Sequence, residues 1–202
     1  MNTKASHRAT AHLLIDLQND FIHAAGAYAR AVGPCPQIAA LPARLAPLAR
    51  TVQQSGGMVI ATLFTLVPGR DGEPIISPHL KQLRPFLQRG DFAPGSWGQS
   101  VVNELAPVDA TIEKVAYSAF YMTRLEWLLR KCEIEALIVG GIVTNGGVAS
   151  TVRDAHVRDL PVTLLIDGCA AFSLQVHSAA LEGLRPVVEM SSIDAELARF
   201  GS

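Results

Sequence analysis

Neither sign of charge predominates in this chain. Seventeen Lys and Arg stand against 18 Asp and Glu, a formal net charge of -1 at pH 7. No polybasic footprint for a nucleic acid or an anionic membrane surface is therefore expected. Cysteine is scarce: Cys35, Cys132 and Cys169 form an odd set with no CxxC pair. That spacing excludes a disulfide framework and a thiolate metal motif, and it points to a reducing cytoplasm. Each thiol reads as a small hydrophobe. No apolar run approaches the roughly 20 residues needed to span a bilayer. Residues 1–10 have no apolar segment of the kind a secretory signal needs, and they read as a flexible N-terminus ahead of one domain over 11–202. With 49% hydrophobic and only 17% charged residues, the chain has ample material for a core, which excludes intrinsic disorder.

Apolar runs alternate with helical periodicity, the pattern of a parallel sheet covered by helices. Strands are expected over 12–17, 58–63, 110–115, 136–139, 162–166 and 186–190. Ile38, Leu41, Leu45, Leu48 and Val52 recur at helical steps. Pro42 suits the first turn of that helix, and Pro47 should kink it. Further helices are expected over 101–105, 124–132, 175–184 and 192–200, with Thr144 or Asn145 capping another that faces inward through Val148, Val152 and Ala155. The stretch 64–96, rich in Pro, Gly and Arg, reads as a long irregular loop, and such loops often serve as lids or substrate loops. The expected architecture is a single doubly wound, Rossmann-like α/β domain with a mostly parallel, roughly six-stranded sheet. Its ligand would sit beyond the carboxyl ends of the strands.

Three polar features fall at those ends. Asp16 interrupts Leu13, Leu14, Ile15 and Leu17, where an unpaired carboxylate would cost several kcal/mol. It is either half of a structural ion pair or a general acid or base tuned by its surroundings. Lys114 closes the third strand, where a surface lysine would ordinarily snorkel to water. The third feature is the turn Gly140-Gly141-Ile142-Val143-Thr144-Asn145-Gly146-Gly147-Val148. Its glycines either permit close packing or clear a floor where backbone amides meet an anion. Arg84 and Arg89, on the long loop, are solvated cations or a fork for a substrate carboxylate. The six histidines show no triad or metal spacing.

Taken in order, Leu14-Ile15-Asp16-Leu17-Gln18-Asn19-Asp20-Phe21, Gly95-Ser96-Trp97-Gly98, Lys114-Val115-Ala116-Tyr117-Ser118-Ala119-Phe120, the glycine turn with Thr151-Val152-Arg153-Asp154-Ala155, and Asp167-Gly168-Cys169-Ala170-Ala171-Phe172-Ser173 form a spaced series. Over about residues 11–190 this series resembles the isochorismatase-like hydrolase superfamily. The resemblance implies catalytic roles for Asp16 and Lys114. Most members are amidases whose cysteine attacks from the helix start, and here Gly147 occupies that position, which closes the covalent route. The metal-dependent subset has an Asp/His cluster where this chain reads Phe64-Thr65-Leu66-Val67-Pro68, so neither metal nor cofactor is expected.

True isochorismatases also carry glycine there. By that resemblance Asp16 is a general acid toward an enol ether, Lys114 its partner and Gly147 the space-making contact. Gly146, Val143, Thr144, Phe64, Phe21 and Arg84 then fall on the substrate side. Phe64 replaces a family glutamine and Val143 a family tyrosine, which makes the pocket more apolar. The resemblance further implies a small-molecule substrate, a homodimer or higher homo-oligomer, and a non-proline cis peptide near Val143-Thr144. A neighbouring ammonium should lower the Asp16 pKa, which favours a base in the free protein. Three readings stay open: a cysteine-independent hydrolase of a small anionic substrate, a diverged member that binds or assembles without hydrolysis, and an amidase-type member whose nucleophile is lost, naturally or by engineering, or replaced by water activated by Asp16.

Overall fold

The protein is described by a computed structural model covering residues 6–201. Strands alternate with helices along the whole chain. Strand β1 spans Thr10–Ile15 and is followed by short helices α1 (Asn19–Ile22), α2 (Ala27–Val32) and α3 (Pro36–Ala39), then α4 (Leu41–Gln54). Next come β2 (Met58–Phe64), α5 (Pro78–Leu83), β3 (Ala110–Lys114), α6 (Leu125–Lys131) and β4 (Ala136–Ile142). The chain closes with α7 (Ala149–His156), β5 (Val162–Ala170), α8 (Leu174–Leu184), β6 (Glu189–Ser191) and α9 (Ile193–Phe200). All six strands are parallel, in the order β3-β2-β1-β4-β5-β6. This is the doubly wound arrangement expected from the sequence.

Alternation along the strands sorts side chains into two cores. Ala11, Leu13, Ile15, Ile60 and Ile112 pack with Leu125 and Leu129 of α6 and Val152 and Ala155 of α7. On the other face, Leu14, Val59, Ala61 and Ile138 pack with Leu41, Leu45, Leu48 and Val52 of α4 and Ile193 and Phe200 of α9. A third, smaller cluster of Ala27, Leu66, Leu87 and Phe92, with Phe21, Tyr28, Phe64 and Phe86 against it, collects the segments that follow β1 and β2.

Several boundaries differ from the sequence expectation. Strand β1 begins at Thr10 and stops at Ile15, so Asp16 lies just beyond it with φ 55. Of the expected flexible 1–10 segment, only 6–10 lie within the described residues; Ser6 caps a 3-10 turn over His7–Ala9 and Thr10 opens β1. Strands β4 and β5 run further than expected because Gly141 and Ile142 keep pairing with Cys169 and Ala170 past a register shift. The last strand begins at Glu189, since Pro186 sits in a 3-10 turn over Arg185–Val187. Helix α4 continues through Pro47. The long loop contains α5, started by a Ser77 side chain that accepts from Leu80 N.

One buried group has no polar partner. Both ring nitrogens of His12, in the middle of β1, lack a hydrogen bond among the described residues. Burial pushes its pKa down to about 3. The unfolded chain takes up a proton near pH 6.5 and the folded chain does not. The resulting stability is complete above that pH and is lost as pH falls toward 3, at up to about 1.4 kcal/mol per unit. His12→Leu should therefore flatten the fall of the urea midpoint between pH 7 and 5. Parallel midpoint curves for the two proteins would refute this account.

Candidate active site

Chain direction reverses its walk across the sheet between β1 and β4, the place where doubly wound sheets open a crevice for ligands. Gly141, with φ 125, pairs with Ile15 there, and a Cβ on it would lie 2.2 Å from the Ile15 carbonyl oxygen. Only glycine lets β4 run so close to the end of β1. The positive φ of Asp16 then turns its carboxylate toward the ends of the neighbouring strands.

Lys114 Nζ lies 2.6 Å from Asp16 Oδ2, and both side chains are almost fully buried. Thr62, on β2 between them, donates from Oγ1 to Asp16 Oδ1 at 2.6 Å and accepts from Asp16 N at 3.0 Å. Lys114 also donates to the Ala116 carbonyl at 3.0 Å, and its Nζ stands 5.6 Å from the centre of the Phe64 ring. Parallel registry makes this possible. Phe64 is opposite Lys114, and residues 62, 64, 112 and 114 project to the same face as Ile15.

Burial dominates the Asp16 carboxyl and pushes its pKa above the ordinary carboxylate value. The Lys114 charge and the hydrogen bonds from Lys114 and Thr62 pull the other way and do not overcome it. The expected depression by lysine is thus corrected, because desolvation disfavours the charged form more than one neighbouring ammonium favours it.

Across the crevice, residues 144–148 form a π-helical turn leading into α7, preceded by a cis peptide between Ile142 and Val143. The cis bond is one residue earlier than the family resemblance implied. Gly146 N and Val148 N both donate to the Val143 carbonyl. Neither Thr144 nor Asn145 caps this helix through its side chain. Thr144 Oγ1 instead pairs with His177 Nδ1 on α8 at 2.8 Å. A Cβ on Gly147 would lie 3.2 Å from Asp16 Oδ2, 3.1 Å from Ile15 Cγ2 and 3.0 Å from the Ile142 carbonyl oxygen. Residue 147 therefore faces the carboxylate directly, and even a methyl group there would press on Oδ2 unless its neighbours gave way.

Aromatic rings roof this floor. Phe21 lies 4.8 Å from Tyr28, 4.5 Å from Phe92 and 6.1 Å from Phe64, centre to centre. Tyr28 stacks on Phe172 at 5.3 Å. Burial pushes the Tyr28 phenol pKa up, and Asp16 is close enough to add to the rise. Arg84 donates from Nε to Tyr28 Oη at 2.8 Å and from Nη2 to Tyr117 Oη at 2.9 Å. Of the residues singled out in the sequence, Asp16, Lys114, Gly147 and Phe64 are brought together. Phe21 faces Phe64, and Arg84 reaches Gly146 through Tyr117, whereas Val143 packs against the core beneath α4 and Thr144 is bonded to His177. Arg89 is bound instead to Glu73 and Asp71. Cys169 is buried in β5 with its pKa pushed up to about 12, mainly by burial, which makes it inert.

Three participants were not singled out. Thr62 is the one hydroxyl in an otherwise apolar strand, a signal that was available. Tyr117 sits inside a quoted motif. Tyr28 lies in an alanine-rich stretch with no pattern to mark it. Among the described residues no three His, Cys, Asp or Glu side chains converge as a metal-holding group, and no helix is long and apolar enough to cross a membrane.

The fold and this crevice define a doubly wound α/β protein with a buried acid–ammonium pair at its switch point. The sequence profile of the isochorismatase domain matches residues 10–195, and the chain belongs to that family. It is 30% identical over 172 residues to an isochorismatase of Bacillus subtilis, covering 84% of this chain and 51% of that one. It is 36% identical over 111 residues to the ureidoacrylate amidohydrolase RutB of Acinetobacter baylyi, covering 52% and 45%. A cysteine hydrolase from Pseudomonas syringae pv. phaseolicola 1448A shares the fold at a TM-score of 0.84 and 23% identity, covering 99% of this chain and 96% of that one. The chain spans about half the length of the curated relatives it matches.

Removing the ammonium tests the balance at Asp16. In Lys114→Met the carboxyl pKa should rise further. A raised folded pKa gives stability that is complete below the unfolded value and lost as pH rises through the folded one. Breaking the buried pair should cost about 3–5 kcal/mol near neutrality, and less at pH 5 than at pH 8. Urea unfolding at the two pH values reads this directly, and a loss independent of pH would show that Asp16 does not take up the proton.

Proposed function

We propose that this protein is a hydrolase that works without a covalent nucleophile, using Asp16 as a general acid on a small anionic enol ether. The observation that carries this reading is the bare backbone at residue 147, which puts no nucleophilic side chain beside Asp16. A Cβ there would lie within 3.0–3.2 Å of Ile142 O, Ile15 Cγ2 and Asp16 Oδ2, so the backbone itself closes up on the carboxyl and no side chain stands between Asp16 and a substrate. A carboxyl whose pKa is raised by burial keeps its proton to higher pH than a solvated one, which suits an acid.

The reaction follows from those groups. The Asp16 proton passes to the terminal vinyl carbon, and the ether oxygen shares the resulting positive charge as an oxocarbenium. Water adds to the carbon that bears the ether oxygen and returns a proton to the Asp16 carboxylate. The hemiketal then collapses to a ketone and an alcohol. Lys114 holds the carboxylate in place and offsets its charge once the proton has left. Phe64, Phe21 and Tyr28 exclude bulk water, which strengthens every charge interaction inside. The names of the relatives, an isochorismatase and an amidohydrolase among them, support hydrolysis as the reaction class.

The simplest test substrate is 2-methoxyacrylate, a carboxylate-bearing enol ether that hydrolyses to pyruvate and methanol. Pyruvate release should fall about 10²–10⁴-fold in Asp16→Asn. The wild-type rate should decline as pH rises through the elevated Asp16 pKa, since the acid form is the active one. An Asp16→Asn protein as fast as wild type, or a rate that climbs with pH, rules the acid mechanism out.

A further inference from the structure

Arg84 lies on the segment between β2 and β3, far in sequence from the groups it touches. One hydrogen bond reaches Tyr28, whose ring packs on Phe21 and Phe172, on the side of the crevice that follows β1. The other reaches Tyr117, on the opposite side. The Tyr117 ring comes within 3.7 Å of where a Cβ on Gly146 would stand. The guanidinium thus bridges the mouth from the aromatic roof to the glycine turn.

This cation has no counter-charge. Both of its polar partners are neutral phenols, and no carboxylate among the described residues pairs with it. The other arginines near the crevice differ: Arg30 is paired with Asp91 and Arg89 with Glu73. A half-buried guanidinium without an anion is costly to keep, and two hydroxyls fix its plane. The Nη1 donors, unused by either tyrosine, form an edge suited to a planar anion. Lys114 cannot serve in its place, because Asp16 already occupies it at 2.6 Å.

We propose that Arg84, held across the mouth by Tyr28 and Tyr117, is an anion subsite that takes the carboxylate of a planar, partly apolar substrate. Tyr28 and Tyr117 are its positioning residues. The subsite builds on the reading of this crevice as a substrate site, and it specifies which end of the substrate enters last. The carboxylate meets Arg84 at the mouth while the unsaturated carbon lies deeper, beside Asp16 and Gly147.

Benzoate, a planar carboxylate that cannot be hydrolysed, is the probe, with benzamide as its neutral counterpart and calorimetry as the measurement. Wild type should bind benzoate more tightly than benzamide. Arg84→Gln should weaken benzoate by about ten- to a hundredfold and leave benzamide unchanged. Arg84→Lys should recover only part of the loss, since an ammonium has no fork. The double change Tyr28→Phe with Tyr117→Phe should weaken benzoate about three- to tenfold, again without moving benzamide. Unaltered benzoate binding in Arg84→Gln, equal affinity for the two ligands in wild type, or no benzoate binding at all overturns the subsite. A double variant that matches wild type, or that loses both ligands equally, overturns the positioning role. Benzoate held through Arg84 in a protein that releases no pyruvate from 2-methoxyacrylate would sink the reaction and leave the subsite standing. Turnover with an unchanged KM in Arg84→Gln would do the reverse.

Discussion

The contact between Asp16 and Lys114 is the interaction on which the rest of this structure depends. Two opposite charges are held out of water at 2.6 Å, at the ends of strands that are not sheet neighbours. A pair so buried is poor value as a stabiliser compared with well-packed apolar side chains. Its cost is limited by Thr62, which sits on the intervening strand and bonds both the amide and the carboxylate of Asp16. Parallel registry among β1, β2 and β3 supplies all three groups at one level. Sheet order is therefore the direct cause of the site's chemistry.

The roof over the pair is fastened by the residues immediately after Asp16. Gln18 bonds both the amide and the carbonyl of Phe64 and also the carbonyl of Gln99. Asn19 donates to the Trp97 carbonyl, and Asp20 accepts from the amides of Ala27 and Phe92. Each bond replaces water for a backbone group that the irregular segments would otherwise bury unpaired. These segments bring Phe21, Phe64, Tyr28 and Phe92 over the crevice. Aromatic cover excludes water, and desolvation is the largest influence on the Asp16 carboxyl. A run of side chains that looks like loop fastening thereby sets the protonation of a group several residues away.

Much of this was legible in the sequence, for identifiable reasons. Near-continuous apolar runs mark β1 and β2, and the carboxylate that ends the first run and the lysine that ends β3 stand out because each needs a partner once buried. Gly140-Gly141 was less informative. It reads as the start of a turn, yet both residues remain in β4, since a glycine pair also suits strands that approach closely. Pro186-Val187-Val188-Glu189-Met190 has strand composition, but the proline opens a 3-10 turn and pairing starts only at Glu189. Thr144 has the composition of a helix cap; its hydroxyl is claimed by His177, which sequence spacing does not reveal. The direction of the Asp16 pKa was missed for the same general reason. A neighbouring charge can be guessed from two residues, whereas desolvation depends on everything packed around them.

Gly147 links these constraints to reaction type. A side chain at this position would stand between Asp16 and anything bound over the turn, since its Cβ would lie 3.2 Å from Oδ2. With no side chain there, under the proposed mechanism Asp16 passes its proton to the substrate with no group in between. For Asp16 to act as an acid it must be protonated while Lys114 stays close, and burial pushes it in that direction. A carboxylate-bearing substrate adds negative charge to the same desolvated space, which raises the Asp16 pKa further by repulsion. Substrate charge then favours the form of the enzyme that reacts with it. Under the proposed mechanism the apolar roof, to which Phe64 contributes, and the acidic substrate act in the same direction.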